Sequence, residues 1–230
     1  MQLARQDCPT NSLRRRQAGL SPGFPADFRP KSYLERPVFL SPGRAKLPSI
    51  RNLQAFYLAY LSQPRADRLI YQAIRRVKAR RIMEIGIGIG QRAVRLIEVA
   101  GGQASPDDVE FIGVDPFEAR RAAEGPGVTL KMAHRLLSRS GARVKLIPGR
   151  PDDALARSAN ALGTLDLIVI SCGLNPESLR QAWYYMPRLL HPGTQIFVEN
   201  ALPGGRTSVQ LVASHQLKHL AAASRVRRAA

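Results

Sequence analysis

Arg80-Arg81-Ile82-Met83-Glu84-Ile85-Gly86-Ile87-Gly88-Ile89-Gly90-Gln91 is the stretch that decides the fold. Its apolar run predicts a buried β-strand that enters a glycine-rich turn, and Gln91-Arg92-Ala93-Val94-Arg95-Leu96-Ile97 predicts a helix directly after it. A strand, a tight turn and a helix N-terminus form a cradle for a nucleotide-like ligand, because backbone N–H groups and the positive end of the helix dipole converge there. Glycines let such a ligand approach the backbone with no Cβ in the way.

Outward from that turn, the chain alternates. Upstream, residues 50–78 are helical in pattern: Leu53, Phe56, Tyr57, Tyr60 and Leu61 recur at three- and four-residue spacing, and Pro64 then interrupts. A second helix puts Leu69, Ile70, Ala73, Ile74 and Val77 on one face and Arg68, Arg75, Arg76 and Lys78 on the other. Downstream, strands are expected over 109–114, 143–147, 165–170 and 195–198, separated by helices over 129–140, 152–162 and 176–190. A last helix is expected over 208–223. Strands alternating with helices predict an α/β fold, a mostly parallel sheet with right-handed crossovers and helices on both faces. Ligands of such sheets sit beyond the C-terminal strand ends, where the strand order reverses.

Length and composition set the partition. A chain of 230 residues can bury a sizeable core, and one domain with extensions is the simplest division. Residues 1–48 read as a basic, Pro-rich, flexible arm in which Pro9, Pro22, Pro25, Pro30, Pro37, Pro42 and Pro48 recur and apolar residues are too sparse for a core. Were the arm to dock on a partner or order over the active site, Tyr33, Val38, Phe39 and Leu40 would be its anchors. Residues 49–223 form the domain, and 224–230 a short basic tail. The net charge of +18 bears on solubility and attraction to polyanions rather than on fold. With only Cys8 and Cys172 there is neither a disulfide framework nor a thiolate zinc site. No apolar run approaches the ~20 residues that span a bilayer, and the N-terminus lacks a signal-peptide pattern, so a cytoplasmic protein is expected.

The glycine spacing discriminates between ligands. A dinucleotide fold takes Gly-x-Gly-x-x-Gly, whereas Gly86-x-Gly88-x-Gly90 puts Gln91 where the third glycine would fall. Glu84-Ile85-Gly86-Ile87-Gly88-Ile89-Gly90 instead resembles motif I of class I S-adenosylmethionine-dependent methyltransferases, nearest in look to those acting on oxygen of small molecules. S-adenosylmethionine carries a cationic amino-acid end and no pyrophosphate, so a carboxylate at the strand tip suits it. The resemblance covers roughly residues 53–205. It implies a Rossmann-like sheet with S-adenosylmethionine as cofactor, bound through Glu84, Gly86, Gly88, Gly90 and, at the end of the second strand, Asp115, whose two acceptor oxygens can take both ribose hydroxyl protons. The adenine-contacting loop of the family corresponds to Arg150 and Asp152, although Asp152-Asp153 is equally an ordinary first helical turn.

The acceptor side departs from the family. Ser171 stands where metal-dependent relatives carry a ligating Asp, and no Asp/Asn-Pro-Pro-aromatic motif follows the fourth strand. Glu199-Asn200-Ala201-Leu202-Pro203-Gly204-Gly205 looks like the Asp-Asn-x-Leu…Gly-Gly stretch of catechol- and caffeoyl-type O-methyltransferases, with Glu for Asp. One carboxylate with neutral oxygens is a poor Mg²⁺ site, so no metal is expected. Ser171 and Glu199 are the candidates for orienting an acceptor or acting as a base, with Tyr57 and Tyr60 on a helix that could cover the cofactor. Cys172 after an apolar strand reads as an inert thiol, and His191 before Pro192 as a helix C-cap. The usual C-terminal strand hairpin of the family has no evident counterpart here.

The expected activity is therefore transfer of a methyl group from S-adenosylmethionine to oxygen or nitrogen of a small-molecule acceptor. A non-catalytic cofactor-binding protein and an RNA-directed methyltransferase are the alternatives. The first follows from the eroded acceptor motifs, and the second from basic residues that would attract nucleic-acid phosphates. A membrane partner is not expected; an oligomer is compatible with the composition.

Overall fold

The computed structural model describes residues 49–226; the arm over 1–48 and the last residues of the basic tail lie outside the described residues. Among the described residues six strands form one sheet: β1 (Arg81–Ile85), β2 (Glu110–Asp115), β3 (Arg143–Pro148), β4 (Leu165–Ile170), β5 (Leu190–Leu202) and β6 (Arg206–Leu211). Their order is β3-β2-β1-β4-β5-β6, parallel from β3 to β5 with β6 antiparallel. The helices are α1 (Ile50–Tyr60), α2 (Arg68–Val77), α3 (Gln91–Gly101), α4 (Leu130–Leu137), α5 (Pro151–Leu162), α6 (Pro176–Ala182) and α7 (Ser214–Val226). The chain leaves β1 toward β2 and β3, then returns to β4 on the other side of β1. The order thus reverses between β1 and β4, which opens a crevice beyond their C-terminal ends. This is the α/β fold expected from the alternation, in the Rossmann-like form that the family resemblance implied.

Burial on both faces explains why the central strands read as continuous apolar runs. Side chains alternate across the sheet: Ile82, Phe111, Leu167 and Val169 join the core beneath α1–α4. Met83, Ile85, Ile112, Ile168 and Ile170 join the core shared with α5, α6 and Trp183. The same parity puts Glu84 on the α1–α4 side, where no apolar neighbour can satisfy it. Against α3, the first helix buries its small residues, Ala55 and Ala59, together with Leu58, and leaves Leu53, Phe56, Tyr57 and Tyr60 exposed. Small residues permit this close seat: a Cβ on Gly102, at the end of α3, would stand 2.7 Å from Ala55 Cβ.

The C-terminal third differs from the sequence expectation. Residues 208–211, expected to open a helix over 208–223, instead belong to β6 (Arg206–Leu211), which pairs with β5 from Phe197↔Leu211 to Leu202↔Arg206. Gly204 and Gly205, at φ of 76° and 70°, make the reversal that other residues resist. A strand hairpin therefore does close this edge, and α7 follows it. The helix expected over 176–190 stops at Ala182, and Pro187 falls in a short 3₁₀ segment, Met186–Leu189. His191 lies in β5, not at a helix end, with its Nε2 3.2 Å from Asp166 Oδ1.

Gly113 ties this architecture to the turn after β1. A Cβ there would sit 2.3 Å from Ile87 Cδ1 and 2.9 Å from Leu146 Cδ2, so the Ile87 side chain plugs the space that the missing Cβ leaves above β2. Gly113→Val should lower stability by about 1–3 kcal/mol through overpacking. The check is a reduced urea midpoint at unchanged m-value.

Candidate functional site

The turn after β1 occupies the reversal point of the sheet. Gly86, Gly88 and Gly90 all have positive φ, at 88°, 59° and 80°, which is the physical requirement behind their alternate spacing. Gly86 N donates to Val114 O at 2.8 Å, fastening the turn to β2. On the other side a Cβ on Gly86 would come 3.0 Å from Ser171 Cβ at the end of β4. Gly90 caps α3, which starts at Gln91.

Strand parity brings Glu84, Ser171 and Glu199 to one face at the C-terminal ends of β1, β4 and β5. Over them lies Arg92, from the first turn of α3. Its Nε donates to Glu84 Oε1 at 2.8 Å and its Nη2 to Ser171 Oγ at 2.5 Å, while Nη1 is 3.0 Å from Glu199 Oε2 and 3.4 Å from Asp67 Oδ1. Asp67 comes from the 3₁₀ turn before α2, and Tyr71 OH donates to its other oxygen. Ser171 Oγ also donates to Gly86 O at 2.5 Å, so the hydroxyl links the guanidinium to the glycine turn.

Three carboxylates facing one guanidinium leave an excess of buried negative charge. Glu84 is fully buried, and its Oε2 has no hydrogen-bond partner among the described residues. Burial pushes its pKa up from the usual 4.5 to about 7, against the attraction of Arg92. Burial also raises Asp67. Glu199 keeps some solvation, and despite burial the Arg92 charge and the Cys172 N–H hold its carboxyl below the usual range. The Cys172 thiol is pushed up by burial and by Glu199, so it stays protonated and a weak nucleophile.

Asp115 ends β2 beside the turn and is 1% exposed. Its Oδ2 accepts from Gly88 N at 3.1 Å and pairs with the Arg120 guanidinium, and its Oδ1 accepts from Phe117 N at 2.8 Å. Next along, Gly149 N donates to Asp115 O, which places the start of α5 at the same sheet edge. Asp152 lies in the first turn of α5 and its Oδ1 accepts from the Ser178 hydroxyl, tying α5 to α6, with Arg150 Nε 3.6 Å away.

The structure thus brings Glu84, residues 86–90 and Asp115 together at the reversal point of the sheet, with both carboxylates buried, and links Ser171 and Glu199 to Glu84 through Arg92. Tyr57 and Tyr60 stand exposed on α1. Arg92, Asp67 and Arg120 were not singled out from the sequence. A signal existed for Arg92: it extends the buried stripe of Leu96 and Val99 on α3, and an arginine on an apolar stripe requires acids nearby. For Arg120, in an irregular segment, there was none. Among the described residues no group of three or more His, Cys, Asp or Glu side chains is arranged to hold a metal ion.

No protein-family model and no curated protein sequence matches the chain. Among solved structures it is similar to the O-methyltransferase TomG of Streptomyces achromogenes, involved in tomaymycin synthesis and determined with S-adenosylmethionine. Identity there is 20%, over 67% of this chain and 67% of that one, at a TM-score of 0.47. It is also similar to an O-methyltransferase of Bacillus cereus, determined with S-adenosylhomocysteine, at 21% identity over 67% and 64% of the two chains and a TM-score of 0.47.

Two outcomes test the charge cluster. Arg92→Met should cost about 3–5 kcal/mol of stability, because it strands buried carboxylates, and chemical denaturation measures this. Since the Glu84 pKa is higher folded than unfolded, the native state holds an extra proton between the two values. The Glu84 contribution is therefore fully present below pH 4.5 and lost as pH rises toward 7. Glu84→Gln should remove that pH dependence, so the stability difference between variant and parent changes across this window and is flat above it.

Proposed function

We propose that this chain binds S-adenosylmethionine in the crevice at the reversal point and transfers its methyl group to oxygen or nitrogen of a small-molecule acceptor. One observation carries the proposal: two buried carboxylates, Glu84 and Asp115, end the adjacent parallel strands β1 and β2 on either side of the positive-φ glycine turn. The residues fit such a cofactor. The turn gives close backbone approach, the unpartnered Glu84 Oε2 favours a cationic group, and the Asp115 carboxylate suits a pair of ribose hydroxyls. Bound there, the sulfonium supplies an electrophilic methyl group.

The chain's own part is positioning. An in-line displacement needs donor and acceptor aligned, and proximity alone contributes much of the rate. Ser171 is committed to Gly86 O and Arg92, so it shapes the wall between turn and acceptor rather than attacking. Glu199, held ionised by Arg92, is a weak base whose role is to orient the acceptor. The acceptor must therefore bring its own nucleophile, a phenol or an amine that ionises near neutrality. A cytoplasmic setting agrees with the two cysteines and no disulfide framework.

Calorimetric titration should show binding of S-adenosylmethionine and S-adenosylhomocysteine but not NAD. In an Arg120→Ala background, where the Arg120–Asp115 pair is absent from both proteins, Asp115→Ala should weaken binding of both ligands by at least about tenfold, the loss of one or two hydrogen bonds to a charged group. Binding of NAD alone would overturn the proposal. Methyl transfer to a panel of phenols and amines should persist with excess chelator.

A further inference from the structure

The segment between β2 and α4 lies across the crevice it should leave open. After Asp115 the chain turns at Phe117, whose φ of 50° is rare for a bulky residue, and then passes through Arg120, Glu124, Pro126 and Gly127 before α4. Its contacts reach both sides of the reversal point. Glu124 O lies 3.6 Å from where a Cβ on Gly173 would stand, beyond β4. Pro126 O lies 3.7 Å from the corresponding position on Gly88, and Val128 N donates to Gly88 O at 3.0 Å. The strap therefore bridges the turn after β1 and the loop after β4, over the mouth of the site. Beneath it, Arg120 pairs with Asp115 and donates from Nη1 to Glu124 O at 2.7 Å.

We infer that residues 120–128 are an autoinhibitory strap, latched by Arg120 on Asp115, that must swing away before the cofactor's ribose can be bound. This rests on the donor site proposed above. The Asp115 oxygens that would accept two ribose hydroxyls are already used by Arg120, Gly88 N and Phe117 N, and the side chain is closed to solvent. A ribose and Arg120 compete for the same oxygen. The latch is also releasable: Arg120 Nε is buried with no hydrogen-bond partner among the described residues, so departure to water recovers a lost hydrogen bond. The strained Phe117 and the open Gly125, at φ 77°, are the hinges, and Glu118 anchors the base by accepting from Leu130 N at 2.9 Å.

When only the open fraction of a protein can bind, the apparent dissociation constant rises by the inverse of that fraction. Removing the latch should therefore tighten binding. The test is titration and stopped-flow association of S-adenosylhomocysteine with the parent, Arg120→Ala and Gly127→Ala. The second variant retains the arginine but puts a Cβ 2.5 Å from Arg120 Nε and 2.8 Å from its Cδ, which drives the guanidinium off Asp115. It carries the comparison if Arg120→Ala does not fold. Both should bind at least about tenfold more tightly and associate faster, and the Val128 amide of the parent should exchange faster once the ligand is saturating. Equal or weaker binding by the folded variants overturns the strap and leaves the donor site standing. Absence of binding by all three proteins overturns the donor site, and the strap with it.

Discussion

The guanidinium of Arg92 is the constraint on which the rest of the structure depends. Parity along β1, β4 and β5 forces Glu84, Ser171 and Glu199 to one buried face, and the turn before α2 adds Asp67. Without a cation, the three carboxylates among them would repel one another in a medium too poor in water to solvate them. Arg92 resolves this from the first turn of α3, and so fixes that helix against the sheet directly after the glycine turn. The compensation is incomplete: Glu84 keeps an orphan oxygen and a raised pKa.

The same network fixes the ends of β4 and β5. Ser171 and Glu199 occupy the strand ends where a substrate-facing group would be sought, but both are held by Arg92. Ser171 is thereby committed to holding β4 beside the turn, while Glu199 stays ionised in the cluster. At Asp115 the pattern repeats, with a buried carboxylate that a neighbouring arginine, Arg120, already takes. Two arginines thus hold the acids at the reversal point, Arg92 those at positions 67, 84 and 199 and Arg120 that at 115.

Much of the fold was legible because its signals are local. Apolar runs of strand length, glycines at alternate positions and helical spacing each depend on neighbours a few residues away. Elements failed where tertiary pairing overrode local preference. Residues 206–211 carry no strong strand pattern and are extended because β5 offers an open edge and Gly204-Gly205 turn the chain onto it. The spacing of Leu53, Phe56, Tyr57 and Tyr60 marked α1 as a helix but not its packing face, which is Ala55, Leu58 and Ala59, small enough at Ala55 to let it approach Gly102.

For the site, the sequence by itself determined the glycine turn and the acids that flank it, because a strand end, a turn and a helix start are contiguous in the chain. It also determined that Asp115 ends the second strand. What only the tertiary structure decided is who meets whom: Arg92 gathers acids from positions 67, 84 and 199, and Arg120 folds back onto Asp115 beneath a strap that reaches Gly173. The physical reason is that a charge records in sequence only that it needs a partner. Which partner it finds is set by strand order, by side-chain parity and by the path of irregular segments, and none of these is a property of nearest neighbours.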